Sequence, residues 1–321
     1  YQSMHKPQVR SFWDNAVYHT GNMEVCALTG NKDYLQYSID WADYNQWKGA
    51  TSNNKAEWRS TYGESPEYVL FGDWQVCFQT YADLYKLDPD TIKIARAREV
   101  MEYQMSTSKL DYWHWVDALY MVMPVMVKMY DITKNPLYLE KLHQYLTVTD
   151  SIMYDREVGL YYRDAKYPYP FHKTINGKKD FWSRGDGWAF AAFAKVLKQL
   201  PAEDKYREEY ITRFQTMAKS IAACQQPEGY WTRSLIDPEQ APGPETSGTA
   251  LFTYGFLWGI NNGLLNADIY SPIVEKAWNY LKTTALQADG KIGYIQPVGE
   301  KAIPGQVVDA NSCFNFGIGA F

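Results

Sequence analysis

Residues 117–132 read Asp-Ala-Leu-Tyr-Met-Val-Met-Pro-Val-Met-Val-Lys-Met-Tyr-Asp-Ile, a segment that is apolar nearly all round. Residues 135–146, Asn-Pro-Leu-Tyr-Leu-Glu-Lys-Leu-His-Gln-Tyr-Leu, follow closely and are amphipathic and charged. The helical periodicity of both segments predicts two consecutive helices. Because a helix that is apolar all round must be surrounded by protein, whereas an amphipathic helix can face water, the pair predicts an inner helix and an outer helix.

The same alternation recurs along the whole chain. Apolar segments begin near Tyr18, Asp73, Asp117, Trp188, Thr246 and Ser312, and charged segments follow near Asp33, Thr91, Asn135, Asp204 and Asp268. Strand-like alternation is nearly absent, so we predict an all-α fold, an (α/α)6 barrel of six helical hairpins with inner and outer rings. We expect one catalytic domain over residues 1–321, with both ends trimmed and the sixth outer helix missing. An open helical solenoid is the alternative, but its repeats should be more regular.

Composition excludes several classes of protein. The chain has 321 residues, of which 46% are hydrophobic, and a net charge of −5. This apolar content argues against disorder, and without a basic stripe we expect no nucleic-acid partner. Four cysteines without a CxxC pair do not suggest a zinc or redox motif. The uncharged stretch 246–267 contains glycines and polar residues and is interpreted as a buried helix, so no membrane partner is expected.

Polar residues enter the apolar helices near their predicted starts. They are Tyr18 and His19 in the first, Asp73 in the second, Asp117 in the third, and Asp186 in the fourth. In a barrel of like-oriented inner helices these N-termini meet at one mouth, so we expect the side chains to converge on one pocket. Long loops at 48–67, 155–180, 227–245 and 289–308 are rich in Gly, Pro, Tyr and Trp, and loops of this length are usually functional or disordered.

The aspartates admit two interpretations. An Asp at a helix start is most often an N-cap that accepts hydrogen bonds from free backbone N–H groups. Asp117 differs because Trp113, Trp115 and Tyr120 surround it in sequence. A carboxylate in such a place is partly desolvated, which raises its pKa and suits a general acid.

Other polar residues are less decisive. Arg184, between Trp182 and Trp188, fits a structural stacking role or an anion clamp equally well. The histidines show no HxH or HxxxH spacing, so we expect hydrogen-bonded residues, and no metal or other cofactor. Phosphate-binding loops and the GxSxG and GxGxxG motifs are also absent.

Two motifs carry a family resemblance. The segments Trp115-Val-Asp-Ala-Leu-Tyr-Met-Val-Met-Pro124 and Trp182-Ser-Arg-Gly-Asp-Gly-Trp188 together resemble glycoside hydrolase family 105, the unsaturated rhamnogalacturonyl hydrolases. The resemblance covers residues 14–321. It implies an (α/α)6 barrel and removal of a 4,5-unsaturated uronic acid from the non-reducing end of pectin-type oligosaccharides produced by polysaccharide lyases.

The resemblance also implies roles for individual residues. Asp117 corresponds to the family's acid/base and Asp73 to its second aspartate. Residues expected to bind the oligosaccharide, from the resemblance or from their position at the mouth, are Tyr18, His19, Trp113, Arg163, Trp182, Arg184 and Trp188. Two departures stand out, since Asp73 is followed by Trp74, and Arg163 stands where characterised relatives carry a histidine. Substrate preference is therefore expected to differ.

The mechanistic hypothesis is hydration of a vinyl ether, with Asp117 donating a proton to carbon. An ordinary inverting glycosidase, a sugar epimerase and a non-catalytic glycan-binding protein are the alternatives. An epimerase would favour paired histidine bases, and the chain has only five histidines. The leaving sugar and oligomeric state stay open, and the bacterial periplasm is favoured slightly over the cytoplasm.

Overall fold

The structure, a computed structural model, describes residues 1–321 and is predominantly helical. Eleven α-helices follow one another: α1 Trp13–Thr29, α2 Lys32–Tyr44, α3 Cys77–Leu87, α4 Ile92–Ser106, α5 Asp117–Thr133, α6 Leu137–Met153, α7 Ser183–Gln199, α8 Arg207–Ala222, α9 Thr246–Asn261, α10 Ala267–Tyr280 and α11 Asn315–Ala320. The only sheet is a two-stranded antiparallel pair of β1, Tyr154–Asp155, and β2, Leu160–Tyr161. The predicted all-α class is therefore confirmed.

The predicted alternation of buried and amphipathic helices is also present. In α7 every residue from 183 to 197 is buried. In α10, by contrast, only Val274, Ala277 and Tyr280 are buried. The uncharged stretch that begins at Thr246 forms the largely buried α9, as predicted. None of the helices is both long enough and apolar enough to cross a membrane.

Several helices begin at different residues than predicted. Helix α1 begins at Trp13, so Tyr18 and His19 lie in its second turn rather than at its start. The carboxylate of Asp14 in the first turn favours this earlier start, because it faces the positive end of the helix dipole. Asp73 lies in a short 3₁₀ turn, Gly72–Trp74, ahead of α3. Helix α7 begins at Ser183, five residues before the predicted Trp188.

Contacts within the chain divide it into two compact units. The first comprises Tyr1–Trp113 and Met121–Leu146, and the second comprises His114–Tyr120 and Thr147–Phe321.

The first unit is held by stacked rings and buried amides. The His19 ring stacks on Trp41 with centroids 3.9 Å apart, and Trp41 lies 5.5 Å from Tyr81. The buried Gln75 Nε2 donates to Gln104 Oε1 at 2.8 Å. The ring contacts join α1 to α2 and α2 to α3, and the amide contact joins the segment before α3 to α4.

The second unit packs its helices closely through small residues. The ring of Phe190 in α7 stacks on Phe214 of α8 at 4.6 Å. A Cβ added at Gly255 of α9 would lie 2.5 Å from the Phe190 ring. The close packing of α7 and α9 at this point therefore depends on the absence of a side chain at Gly255.

Candidate active site

Asp117 is the first residue of α5, and the backbone before it fixes its position. The Val116 N–H donates to the Arg163 carbonyl at 2.8 Å, and Trp115 forms an antiparallel bridge with Asp164. The loop after β2 therefore runs beside the residues that lead into α5. This pairing places the Arg163 side chain next to the Asp117 carboxyl group.

The Asp117 carboxyl group lies in a largely dry environment. Its side chain is 15% exposed, and its Oδ2 atom accepts no hydrogen bond. Burial raises the pKa of Asp117, the charges of Arg163 and Arg184 lower it, and the Asp164 carboxylate raises it again. The net effect is a raised pKa, so the protonated form persists to higher pH than in an ordinary Asp. Such a group can donate a proton to a substrate.

The Arg163 guanidinium faces Asp117 through its Nε and faces the carboxylates of Asp164 and Glu300 through its NH1. Its Nε lies 3.7 Å from Asp117 Oδ2, and this Nε donates no hydrogen bond. Its NH1 donates to Asp164 Oδ2 at 2.6 Å and lies 3.4 Å from Glu300 Oε2. Arg163 thus presents a buried, unbonded N–H group beside the candidate acid.

Glu300 extends this cluster from the 289–308 loop. The Tyr167 hydroxyl donates to Glu300 Oε1 at 2.9 Å, and Lys166 Nζ donates to Oε2 at 3.2 Å. The sequence did not indicate this cluster of Asp164, Lys166, Tyr167 and Glu300, because Glu300 is 134 residues away from Lys166 in the chain. The only available signal was the length and composition of the 155–180 and 289–308 loops.

Arg184 is engaged by the protein rather than open to a ligand. It is 1% exposed, and its guanidinium carbon lies 4.7 Å from the Trp182 ring and 4.8 Å from the Phe316 ring. Its NH1 and NH2 donate to the carbonyls of Gln296 at 2.5 Å and Pro297 at 2.8 Å. Of the two roles that the sequence left open, this geometry favours structural stacking, because the terminal nitrogens already hold backbone oxygens; a role of Arg184 in substrate binding stays a prediction.

The two tryptophans of the second motif also lie inside the protein. Trp188 is fully buried and packs on Tyr120 with ring centroids 4.7 Å apart. Trp182 is buried too, and its Nε1 donates to Gln296 Oε1 at 2.8 Å. Both indoles therefore support the start of α7, and their expected contacts with a sugar stay predictions.

Tyr18 and His19 lie in the first unit and are buried. The Tyr18 ring lies 4.5 Å from the Tyr1 ring, and burial raises its pKa to about 12. His19 Nδ1 lies 3.0 Å from Ser38 Oγ, and burial lowers its pKa to about 3. A neutral, stacked imidazole agrees with the hydrogen-bonded role that the sequence indicated for histidines.

Asp73 and Trp113 also belong to the first unit and are buried. The Trp113 ring lies 5.2 Å from Tyr145. Within the second unit, Asp117 lies near Arg163 and Arg184, whose charges both lower its pKa. The convergence of all predicted residues on one pocket, and the role of Asp73, stay predictions.

The metal-free hypothesis also stays a prediction. Across residues 1–321 no group of three or more His, Cys, Asp or Glu side chains is arranged to hold a metal ion.

Comparison with known proteins identifies the family. The model of Glycosyl Hydrolase Family 88 matches residues 1–321. The chain belongs to this family. The chain is therefore a member of a glycoside hydrolase family. This confirms the enzyme class predicted from Asp117 and the two motifs.

Individual relatives add detail. The chain is 30% identical over 319 residues to an unsaturated 3S-rhamnoglycuronyl hydrolase of Formosa agariphila, covering 96% of this chain and 82% of the relative. It is 72% identical to a solved structure named a polysaccharide lyase, with a TM-score of 0.96 and coverage of 98% and 88%. A family 105 glycoside hydrolase of C. acetobutylicum is 20% identical, with a TM-score of 0.76 and coverage of 99% and 94%.

These likenesses confirm the fold and the resemblance. The family 105 structure shares the fold of this chain, the (α/α)6 barrel predicted from the helix pairs. The relative in Formosa agariphila is named an unsaturated glycuronyl hydrolase, in agreement with the family that the two motifs resemble.

Proposed function

We propose that this family 88 member removes a 4,5-unsaturated uronic acid from the non-reducing end of lyase-generated oligosaccharides. The observation that carries the proposal is the Asp117 carboxyl group, whose pKa is raised and whose Oδ2 accepts no hydrogen bond. A carboxyl group with a raised pKa, which stays protonated to higher pH than an ordinary Asp, suits protonation of a carbon. The family and the named relative supply the substrate class.

The reaction is a hydration followed by ring opening. The C4=C5 bond of the substrate is conjugated to the carboxylate and joined to the ring oxygen, so it is a vinyl ether. Protonated Asp117 donates its proton to C4, and positive charge develops at C5 and the ring oxygen. Water then adds at C5 while the Asp117 carboxylate accepts a proton. The resulting hemiketal opens and releases the neighbouring sugar, so one water is consumed and the acid is regenerated.

Arg163 is the proposed partner of the substrate carboxylate. Its unbonded Nε lies beside Asp117, whereas the terminal nitrogens of Arg184 already hold two carbonyl oxygens. A guanidinium edge bonds a carboxylate well because its N–H groups are charged and fixed in geometry. In this proposal Arg184 supports the site, and Asp73 stays the candidate second carboxylate.

A second candidate function is a uronate lyase. The 72% identical structure named a polysaccharide lyase favours it. In such a reaction a base removes the C5 proton of a saturated uronic acid, the C4–O4 bond breaks, and a C4=C5 bond forms while the leaving sugar departs with O4 and takes up a proton. Arg163 would then stabilise the carboxylate charge while Asp117 would have no proton to donate to carbon. A raised pKa suits either reaction, because the acid persists to higher pH and its carboxylate is a stronger base, so the two reactions are separated by their products.

The two reactions are distinguished by the sign of one optical change. Hydration destroys the conjugated double bond, so ultraviolet absorbance falls as the neighbouring sugar is released. Elimination creates that bond, so absorbance rises. The purified protein should be incubated separately with an unsaturated uronyl disaccharide and with a saturated uronide that carries a sugar on O4. We expect turnover of the unsaturated compound alone, with falling absorbance, and rising absorbance from the saturated compound would establish the lyase instead.

A further inference from the structure

Two buried polar atoms of the candidate site lie close together without forming a hydrogen bond. Arg163 Nε donates no hydrogen bond and Asp117 Oδ2 accepts none, although the two atoms are 3.7 Å apart. A hydrogen bond between a charged N–H group and a carboxylate is about 2.7–2.9 Å long, so a movement of roughly 1 Å would form it. Because unbonded buried polar groups are unfavourable, other contacts of Arg163 must hold its guanidinium back.

The partners of the Arg163 side chain decide where its guanidinium lies. The main chain is already fixed, since the Arg163 carbonyl accepts the Val116 N–H at 2.8 Å, immediately before Asp117. At the other end of the side chain, NH1 donates to Asp164 Oδ2 at 2.6 Å and lies 3.4 Å from Glu300 Oε2. The contact with Asp164 is the shorter of the two, so Asp164 is the main restraint on the guanidinium.

Asp164 is itself held firmly in place. It is buried, and its main chain forms an antiparallel bridge with Trp115. Its Oδ1 accepts from the Lys166 N–H at 2.8 Å, and its carbonyl accepts from the Tyr167 N–H at 3.0 Å. A carboxylate that is fixed through both its main chain and its side chain can hold a guanidinium in one position, whereas a mobile carboxylate would follow it.

We propose that Asp164 is a positioning residue that holds Arg163 back from Asp117 and so keeps the candidate acid free of a hydrogen-bonded cation. Asp164 acts through Arg163, and this role requires no contact between Asp164 and the substrate. The inference rests on the proposed function, because the role of Asp164 concerns the acid step of the same reaction.

Charged groups determine the direction of the expected effect. Those that face Asp117 directly or through its neighbours are Arg163, Arg184, Asp164, Lys166 and Glu300. The charge of Arg163 already lowers the pKa of Asp117, and a hydrogen bond from its Nε would lower that pKa further. Release of Arg163 from Asp164 should therefore move the pKa of Asp117 down, and the alkaline limb of the pH–rate profile to lower pH.

The test measures the pKa of Asp117 in Asp164→Asn. The asparagine oxygen can still accept the Lys166 N–H, but the side chain offers Arg163 neither a negative charge nor a second acceptor oxygen. We expect the pKa of Asp117 to fall by about one pH unit or more. It is read from the alkaline limb of kcat/KM on an unsaturated uronyl disaccharide, and from NMR titration of ¹³C-labelled aspartate carboxyl groups, with Asp117→Asn used to assign the signal.

A second background separates the proposed role from a direct effect of charge. Loss of the Asp164 carboxylate also lowers the pKa of Asp117 directly. In Arg163→Gln there is no guanidinium to release, so only the direct effect remains. Asp164→Asn should therefore lower the pKa of Asp117 much less in the Arg163→Gln background than in the wild type. An equal fall in both backgrounds, or no fall in the wild type, overturns the proposal.

Asp289 provides a matched control because its local contacts resemble those of Asp164. Its Oδ1 accepts from the Lys291 N–H at 3.1 Å, and its Oδ2 lies 2.8 Å from Lys291 Nζ, on an exposed turn. Asp289→Asn should leave the pKa of Asp117 unchanged, and a fall as large as that in Asp164→Asn would overturn the proposal. If Asp164→Asn does not fold, Asp164→Ser replaces it under the same criteria, since a serine hydroxyl can accept the same N–H.

Failure of the proposed function has a different signature. In that case the unsaturated disaccharide keeps its ultraviolet absorbance, while the NMR titration still shows whether Asp164 restrains Arg163. If instead the disaccharide is turned over and Asp164→Asn leaves the pKa of Asp117 unchanged by NMR, the hydrolase function stands and the role of Asp164 is overturned.

Discussion

Replacing Asp117 by asparagine should abolish most of the activity while leaving the fold intact. The change keeps the size and shape of the side chain but removes the only group at this position that can donate a proton to carbon. General acid–base catalysis contributes roughly 10²–10⁴ in rate, and two such steps pass through Asp117. We therefore expect kcat to fall at least about 10³-fold, or about 4 kcal/mol in activation free energy.

The structure also predicts the effect of Asp117→Asn on stability. The pKa of Asp117 is raised in the folded protein, so the folded state holds this proton more tightly than the unfolded chain does. Its contribution to stability is complete below the unfolded pKa and is lost as the pH rises through the folded pKa. Because asparagine does not ionise, the variant avoids this loss, and its Tm at neutral pH should equal or exceed that of the wild type.

The assay follows release of reducing sugar and loss of ultraviolet absorbance under single-turnover conditions, beside a thermal melt. Asp186→Asn is the matched control, because Asp186 is another buried carboxyl group near a helix start. Its Oδ1 accepts from the Tyr161 N–H at 2.8 Å, and an asparagine carbonyl can keep that bond. Activity should survive in this control. An Asp117→Asn variant that folds and retains more than a tenth of wild-type kcat would refute the reasoning.

Two further variants test the charges around Asp117. Arg163→Gln removes a charge that lowers the pKa of Asp117, so the alkaline limb of the pH–rate profile should move to higher pH. The KM for the anionic substrate should rise as well. An alkaline limb that does not move would contradict the electrostatic coupling between Arg163 and Asp117. Arg184→Ala leaves the carbonyls of Gln296 and Pro297 without their hydrogen-bond donor and should destabilise the fold by about 2–4 kcal/mol in denaturant unfolding. An Arg184→Ala variant that keeps its stability and only binds substrate more weakly would instead support the anion-clamp role of Arg184.

The helix pairs could be predicted because their signal is local. The apolar run from Asp117 to Ile132 and the charged segment after it each carry their own periodicity, so inner and outer helices are recognisable without knowing their neighbours. Exact helix starts were less predictable. At α1 the start depends on Asp14 and on the extended backbone at Phe12, rather than on the later Tyr18.

The candidate site was only partly predictable. Asp117 could be found because aromatic residues adjoin it in sequence. The hydrogen bonds of Arg184 to backbone carbonyls could not be predicted, because those carbonyls lie 112 and 113 residues further along the chain. Glu300 could not be found either, because its partners Lys166 and Tyr167 are also distant in the chain and a single glutamate in a loop forms no pattern. Contacts of this kind arise from tertiary packing, which periodicity and spacing do not report.

The central claim is that a proton from Asp117 becomes bound to C4 of the substrate, and an isotope experiment tests it directly. In D₂O the reaction should place one deuterium at C4 of the released keto-uronic acid, detected by NMR, while the ultraviolet absorbance of the double bond falls in step with sugar release. Released uronic acid that lacks deuterium at C4, or a saturated uronide cleaved with rising absorbance, would contradict the hydration mechanism.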